Sequence, residues 1–211
     1  MVKEFLNLNK HKLWFFPAVL WTILFVCITI ASQLFPGGGP RVSWLKGLEI
    51  AVLYATFLTF IIVIVSFLIC MMRFIRKRVI FKQENWSEFF YRHHFKRTLI
   101  NYESKMALTE EVMQGKVKDF EVVADTFKDE SKFLQFRFYV EWVKLDKTEF
   151  KRLDELFKDY DAELDIGYIS MKIPNTKRLP VYEIEDKLGG FADLLKQEKF
   201  RPLHFTDPVN F

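Results

Sequence analysis

Two uninterrupted apolar runs dominate the first third of the chain. Leu13–Phe35 and Ile50–Met72 each extend 23 residues without an Asp, Glu, Lys or Arg. As helices rising about 1.5 Å per residue, each spans roughly 34 Å. A bilayer's hydrocarbon core is roughly 30 Å thick, so each run is long enough to cross it with a slight tilt. In lipid the backbone N–H and C=O groups have no water to bond, which predicts helix for both. The competing reading, two core helices of a soluble protein, needs a larger remainder to bury them. A second competitor is a cleaved signal peptide ending at Thr29-Ile30-Ala31. The first run is too long for that and continues into Leu34-Phe35-Pro36.

The segment between the runs, Pro36-Gly37-Gly38-Gly39-Pro40, breaks helix at both ends and predicts a tight reversal. Its three glycines lack the Lys-Ser/Thr of a phosphate cradle. Along the second run Gly47, Ala51, Ala55 and Thr59 recur every four residues on one helix face. Small residues at this spacing let a second helix approach closely, either Ala18 and Thr22 of the first run or another subunit. Beyond Tyr54 and scattered Thr and Ser, neither run offers an ionisable group, which argues against an ion path or proton relay. Cys27 and Cys70 lie inside the runs and read as small apolar fillers; palmitoylation of Cys70 is a weaker reading.

Downstream the pattern changes. Trp86, Phe89, Phe90 and His93 at helical spacing predict one long helix over 84–114, within a basic, aromatic, helical juxtamembrane segment covering 73–127. From Leu134 to Trp142 apolar residues alternate with polar ones, predicting a strand with one buried face. Asp146-Lys147-Thr148-Glu149 has capping-box spacing, with Phe150, Leu153, Phe157 and Tyr160 following as an amphipathic helix over 147–160. Leu164–Ile173 reads as a second strand with a bulge at Gly167, Val181–Glu185 as a third, 188–195 as a helix, and Phe200–Phe205 as an edge strand limited by Pro202. The predicted architecture is therefore a membrane helical hairpin followed by an α+β domain over 128–211. Its order is βαββαβ, that of the ferredoxin-like plait. The alternative is another α+β topology with helix 84–127 packed on its sheet.

Charge adds orientation. Lys3, Lys10 and Lys12 precede the first run, Arg73, Arg76, Lys77 and Arg78 follow the second, and the connecting loop holds only Arg41 and Lys46. The positive-inside rule places both termini in the cytoplasm, with residues 1–12 a cytoplasmic segment, and the expected location is a bacterial cytoplasmic (inner) membrane. Trp14, Trp21 and Trp44, near the run ends, suit the headgroup zone. Arg73, Arg76, Lys77, Arg78, Trp86, Arg92, Lys96 and Arg97 are the expected membrane-surface residues, facing anionic lipid. Nucleic acid is the less favoured partner for this patch, since no recognition motif accompanies it. Residues 1–118 carry 16 Lys/Arg against 7 Asp/Glu, whereas 119–211 carry 15 against 20. The acidic distal part is expected to project away from anionic lipid or meet a basic partner.

Candidate chemistry is sparse. His93-His94 point about 100° apart on a helix, and His11 and His204 have no ligand set, so no metal site is expected. Asp154-Glu155 and Glu183/Glu185 fall on predicted exposed faces. There is no Walker motif, HExxH or recognisable Ser/His/Asp set. No catalytic residue and no cofactor are predicted. The leading expectation is a structural or interaction subunit of a larger membrane assembly, such as a secretion or conjugation apparatus, with protein partners or self-association beside the bilayer. The alternatives are an oligomerising membrane effector with a sensing domain, as in defence or toxin systems, and a membrane-bound enzyme.

Overall fold

A computed structural model describes residues 1–34, 44–104, 107–127, 130–141 and 146–203. The Pro36–Pro40 turn, Arg41, Trp142 and the end of the expected strand at Phe200–Phe205 lie outside those residues. The chain forms two compact units: Met1–Arg73 with Asn101–Thr109, and Phe74–Ile100 with Glu110–Phe211.

The first unit contains α1 (Val2–Asn9), α2 (Lys12–Leu34) and most of α3 (Trp44–Phe81), the helix common to both units. Both α2 and α3 are long and apolar enough to cross a membrane, with mean hydropathies of 2.3 and 2.7 over their apolar stretches. Their side chains are largely exposed, among them Ile23, Val26, Leu53, Phe57, Phe60 and Val65. The small-residue face of α3 is the exception, because Gly47, Ala51, Ala55 and Thr59 are all buried. Trp21 Nε1 of α2 donates to Thr56 Oγ1 of α3 at 3.1 Å, and Phe5 of α1 is buried against Phe67 with ring centroids 5.3 Å apart.

The second unit is an antiparallel six-stranded sheet carrying helices. Its strands are β1 (Lys96–Ile100), β2 (Glu110–Val117), β3 (Phe120–Phe127), β4 (Glu130–Tyr139), β5 (Ala162–Asp165) and β6 (Tyr168–Pro174), in the order β1-β2-β3-β4-β6-β5. The helices are α4 (Glu84–Arg92), α5 (Lys147–Lys158) and α6 (Val181–Gln197). Strand alternation sends Leu134, Phe136 and Phe138 of β4 into the core with Phe120 and Val122 of β3 and Ile169, Met171 and Ile173 of β6. Trp86 and Phe89 of α4, Leu153 and Phe157 of α5, and Ile184, Leu188 and Phe191 of α6 complete this core. Val112, Val123 and Tyr139 form a smaller cluster from positions of opposite parity.

Several expectations are corrected here. Residues 84–114 are not one helix: α4 ends at Arg92, and His94 turns the chain at a φ of 53° into β1. The wider 73–127 segment read as helical supplies three strands, because β1–β3 find pairing partners in one another that local periodicity does not reveal. The switch of apolar parity at Gly167 marks a hairpin rather than a bulge. Ile166-Gly167 joins β5 to β6, and Gly167 takes a φ of 81° that suits a residue without Cβ. Val181–Glu185 is the start of α6, since Ile184, Leu188, Phe191 and Leu195 continue one buried helical stripe. The ferredoxin-like plait is not formed. β4, β6 and β5 do lie in a split βαβ arrangement with α5 as the crossover, but β3 occupies the place a plait gives its last strand. From the expected last strand, the described residues contribute a single bridge, Pro202 to Val140.

Candidate functional site

The densest group of buried charge lies where the end of α3 meets the head of β2, inside the second unit. Helical spacing places Phe74, Lys77 and Arg78 on one face of α3, and all three are buried. On β2, Glu110 and Glu111 are neighbours and point to opposite faces of the sheet. Lys77 Nζ donates to Glu110 Oε2 at 2.5 Å and lies 2.8 Å from Asp125 Oδ1 on β3. Arg78 makes a two-pronged contact, with Nε and Nη2 donating to Glu111 Oε2 and Oε1 at 2.8 and 2.5 Å. The Arg78 guanidinium also lies 4.4 Å from the centre of the Phe74 ring, and Arg97 Nη1 lies 3.6 Å from Glu111 Oε1. Paired planar contacts of this kind lend direction as well as charge compensation. The end of α3 thus grips β2 from both faces. The Arg78–Glu111 pair is enclosed on both sides, whereas the Glu110 side chain keeps about 36% of its surface exposed.

Within the first unit a second polar group holds the β1–β2 connection. Asn9, fully buried, donates to Phe5 O at 3.1 Å, and its Oδ1 accepts the Thr109 N–H at 2.7 Å. Lys12 Nζ donates to Ala107 O at 2.7 Å and to Asn101 O.

A third group occupies the sheet positions of the smaller cluster. The Arg137 guanidinium donates to Gln135 Oε1 at 3.2 Å and sits 5.6 Å from the Tyr168 ring centre. Burial pushes the Tyr139 hydroxyl up to about 12, against the lowering effect of Arg137. Burial and the nearby Asp165 also raise Tyr168. Tyr168 donates to Asp165 at 2.6 Å, and this bond, followed by the Ile166 N–H, holds the Asp165 carboxyl below its usual range.

The residues expected at the membrane surface divide. Trp86 is wholly buried, with Nε1 donating to Asn175 Oδ1 at 2.8 Å, so it is a core residue and not a headgroup anchor. Lys77 and Arg78 are likewise buried and paired, because Glu110, Glu111 and Asp125 outcompete solvent for them. Arg73 is half-buried, while Arg76, Arg92, Lys96 and Arg97 are exposed. Arg92 pairs with Glu88 and, at 3.7 Å, with Glu185, which also lies 3.2 Å from His93 Nε2. Among the described residues no three His, Cys, Asp or Glu side chains group to hold a metal ion. Asn9, Lys12, Glu110, Glu111 and Asp125 had no motif to announce them. The only hint was two adjacent like-charged pairs of opposite sign, Lys77-Arg78 and Glu110-Glu111, 33 residues apart.

Fold and clusters together define a chain with two helices of membrane-crossing length and apolarity, followed by an antiparallel sheet unit with helices. No protein family, curated protein or solved structure matches the chain.

Proposed function

We propose that the chain is a membrane-anchored interaction subunit. α2 and α3 cross the bilayer as a hairpin, both chain ends lie on the cytoplasmic side, and the sheet unit is the part that meets protein partners. The observation that carries this reading is the reversed burial of the two long helices. Their large apolar side chains are exposed while the small residues of α3 are buried. In water such a surface is a severe liability; in lipid it is the solvated face. Exposed Lys3, Lys10 and Arg76 support the cytoplasmic assignment of the flanks. The pairing of buried Lys77 and Arg78 with carboxylates of the sheet supports a positional role and hence interaction over catalysis.

The test uses the full chain in its native membrane. It is expected to pellet with membranes and resist carbonate extraction, and a tag at either end should be shielded from reagents outside sealed cells. A photo-crosslinker at exposed Ile166 or Tyr182 is expected to yield a discrete adduct with a partner chain. Recovery in the supernatant, or an uncrosslinked lone chain from native membranes, overturns the proposal.

A further inference from the structure

β1 and β5 stand at the two ends of the strand order, so each has one edge without a strand partner among the described residues. Such an edge presents backbone N–H and C=O groups that a further strand can bond, and charged side chains are a common guard against it. Here the two edges are guarded with opposite signs. β1 opens with Lys96-Arg97, both exposed, and β5 carries Glu163 and Asp165, both exposed. Each edge therefore repels a copy of itself and attracts the other.

Topology adds a second constraint. Six strands, each antiparallel to its neighbours, leave β1 and β5 running in opposite directions. A second copy set beside the first in the same orientation brings its β1 against β5 and continues the antiparallel alternation. The side-chain faces then fix the register. Lys96 and Thr98 share a face with Val112 and Val123, and the strand pairing puts Glu163 and Asp165 on that face too. Arg97, Leu99, Ala162 and Leu164 take the opposite face. Only one register overlaps all four residues of β5 with β1 and keeps both faces continuous. It sets Lys96 opposite Asp165, Arg97 opposite Leu164, Thr98 opposite Glu163 and Leu99 opposite Ala162. A base then meets an acid on one face, and Leu99 meets Ala162, diagonal to Leu164, on the other.

We infer that the sheet unit docks onto a second copy of this chain, with edge strand β5 of one pairing head to tail with edge strand β1 of the next. The inference rests on the interaction reading above and names one partner for it. Pairing β5 with β5 sets acids against acids, and pairing β1 with β1 sets bases against bases. The contact is therefore heterologous and can repeat from copy to copy.

The test is disulfide trapping in native membranes of cells that make two differently tagged full-length chains, both carrying Cys27→Ala and Cys70→Ala. One chain also carries Thr98→Cys and the other Glu163→Cys. Five strand spacings of about 4.8 Å put β1 and β5 of one chain about 24 Å apart, beyond the reach of a disulfide. Mild oxidation is expected to yield a disulfide when the two chains are made together and none when either is made alone. Lys96→Glu in the first chain should cut the yield about fivefold, the scale of turning a cross-strand attraction into a repulsion, and Asp165→Lys in the second should restore it. No disulfide in the mixture, an equal yield from either chain alone, or charge reversal without effect overturns the inference. In that case a photo-crosslinker at Ile166 or Tyr182 that still captures a different protein leaves the interaction reading standing. Should a cysteine variant fail to reach the membrane, carbodiimide coupling of the parent chain takes its place. An amide joining Lys96 to Asp165 is then the expected product, and its absence overturns the inference.

Discussion

Gly115 of β2 lies beneath the Phe95 ring, and a Cβ there would come within 2.5 Å of the ring carbons. Gly115→Ala should therefore destabilise the sheet unit by about 1–3 kcal/mol through overpacking. Adding Phe95→Leu should recover part of the loss, as urea denaturation would show. The Arg78–Glu111 pair makes a different demand. Arg78→Met strands a buried carboxylate and should cost about 3–5 kcal/mol, whereas Arg78→Met with Glu111→Leu should cost much less. Equal losses in the single and double variants would show that the pair is not the source of the penalty. Tyr139 provides a pH signature. Its hydroxyl is raised from 10.0 to about 12 in the folded chain. A raised group contributes its stability below the unfolded value and loses it as pH rises through the folded one. Between about pH 10 and 12 the parent should lose stability relative to Tyr139→Phe, measured as a narrowing difference in melting temperature.

Among the elements, α5 was the most legible before folding. Asp146 caps it, with Oδ1 accepting from the Thr148 and Glu149 N–H groups at 2.8 Å, and Leu153 and Phe157 fill its buried stripe. Asp146→Ala should cost about 1 kcal/mol, checked by chemical denaturation, with Asp146→Asn nearly silent. β4 was legible for the same reason: strict alternation leaves one register that buries Phe136 and Phe138. α6 was read in part as a strand because the five residues Val181–Glu185 are too short a window to separate the two periods. β1–β3 were missed more completely. Aromatic spacing around Trp86–His93 continues a helical pattern past the point where His94 leaves it. What makes strands of the next 30 residues is pairing with one another.

For the whole molecule, the segregation of charge matters most. The apolar runs contain no acid or base, and the positive excess sits on the residues up to 118. If hydrophobic insertion holds the chain, 1 M salt should leave it in the membrane pellet and only detergent should release it. Electrostatic adsorption would fail that wash, since surface attraction is screened within roughly 3 Å at 1 M. Burial of Gly47, Ala51 and Ala55 within one chain turns the small-residue face of α3 inward. A contact between copies through this part of α3 would use its larger exposed side chains instead.

The sequence by itself determined the two long apolar helices, the cap and stripe of α5, and the alternating core strand β4. Each follows from interactions a few residues apart, namely the period of burial and the needs of a helix end. Tertiary structure alone decided that Lys77, Arg78 and Trp86 turn inward, that β3 takes the place beside β4, that Glu110 and Glu111 receive Lys77 and Arg78, and that Asn9 and Lys12 hold the Asn101–Thr109 segment. The polar contacts among those outcomes join partners 33 to 100 residues apart. A charged or aromatic side chain carries no local mark of whether solvent, lipid or a distant carboxylate will satisfy it.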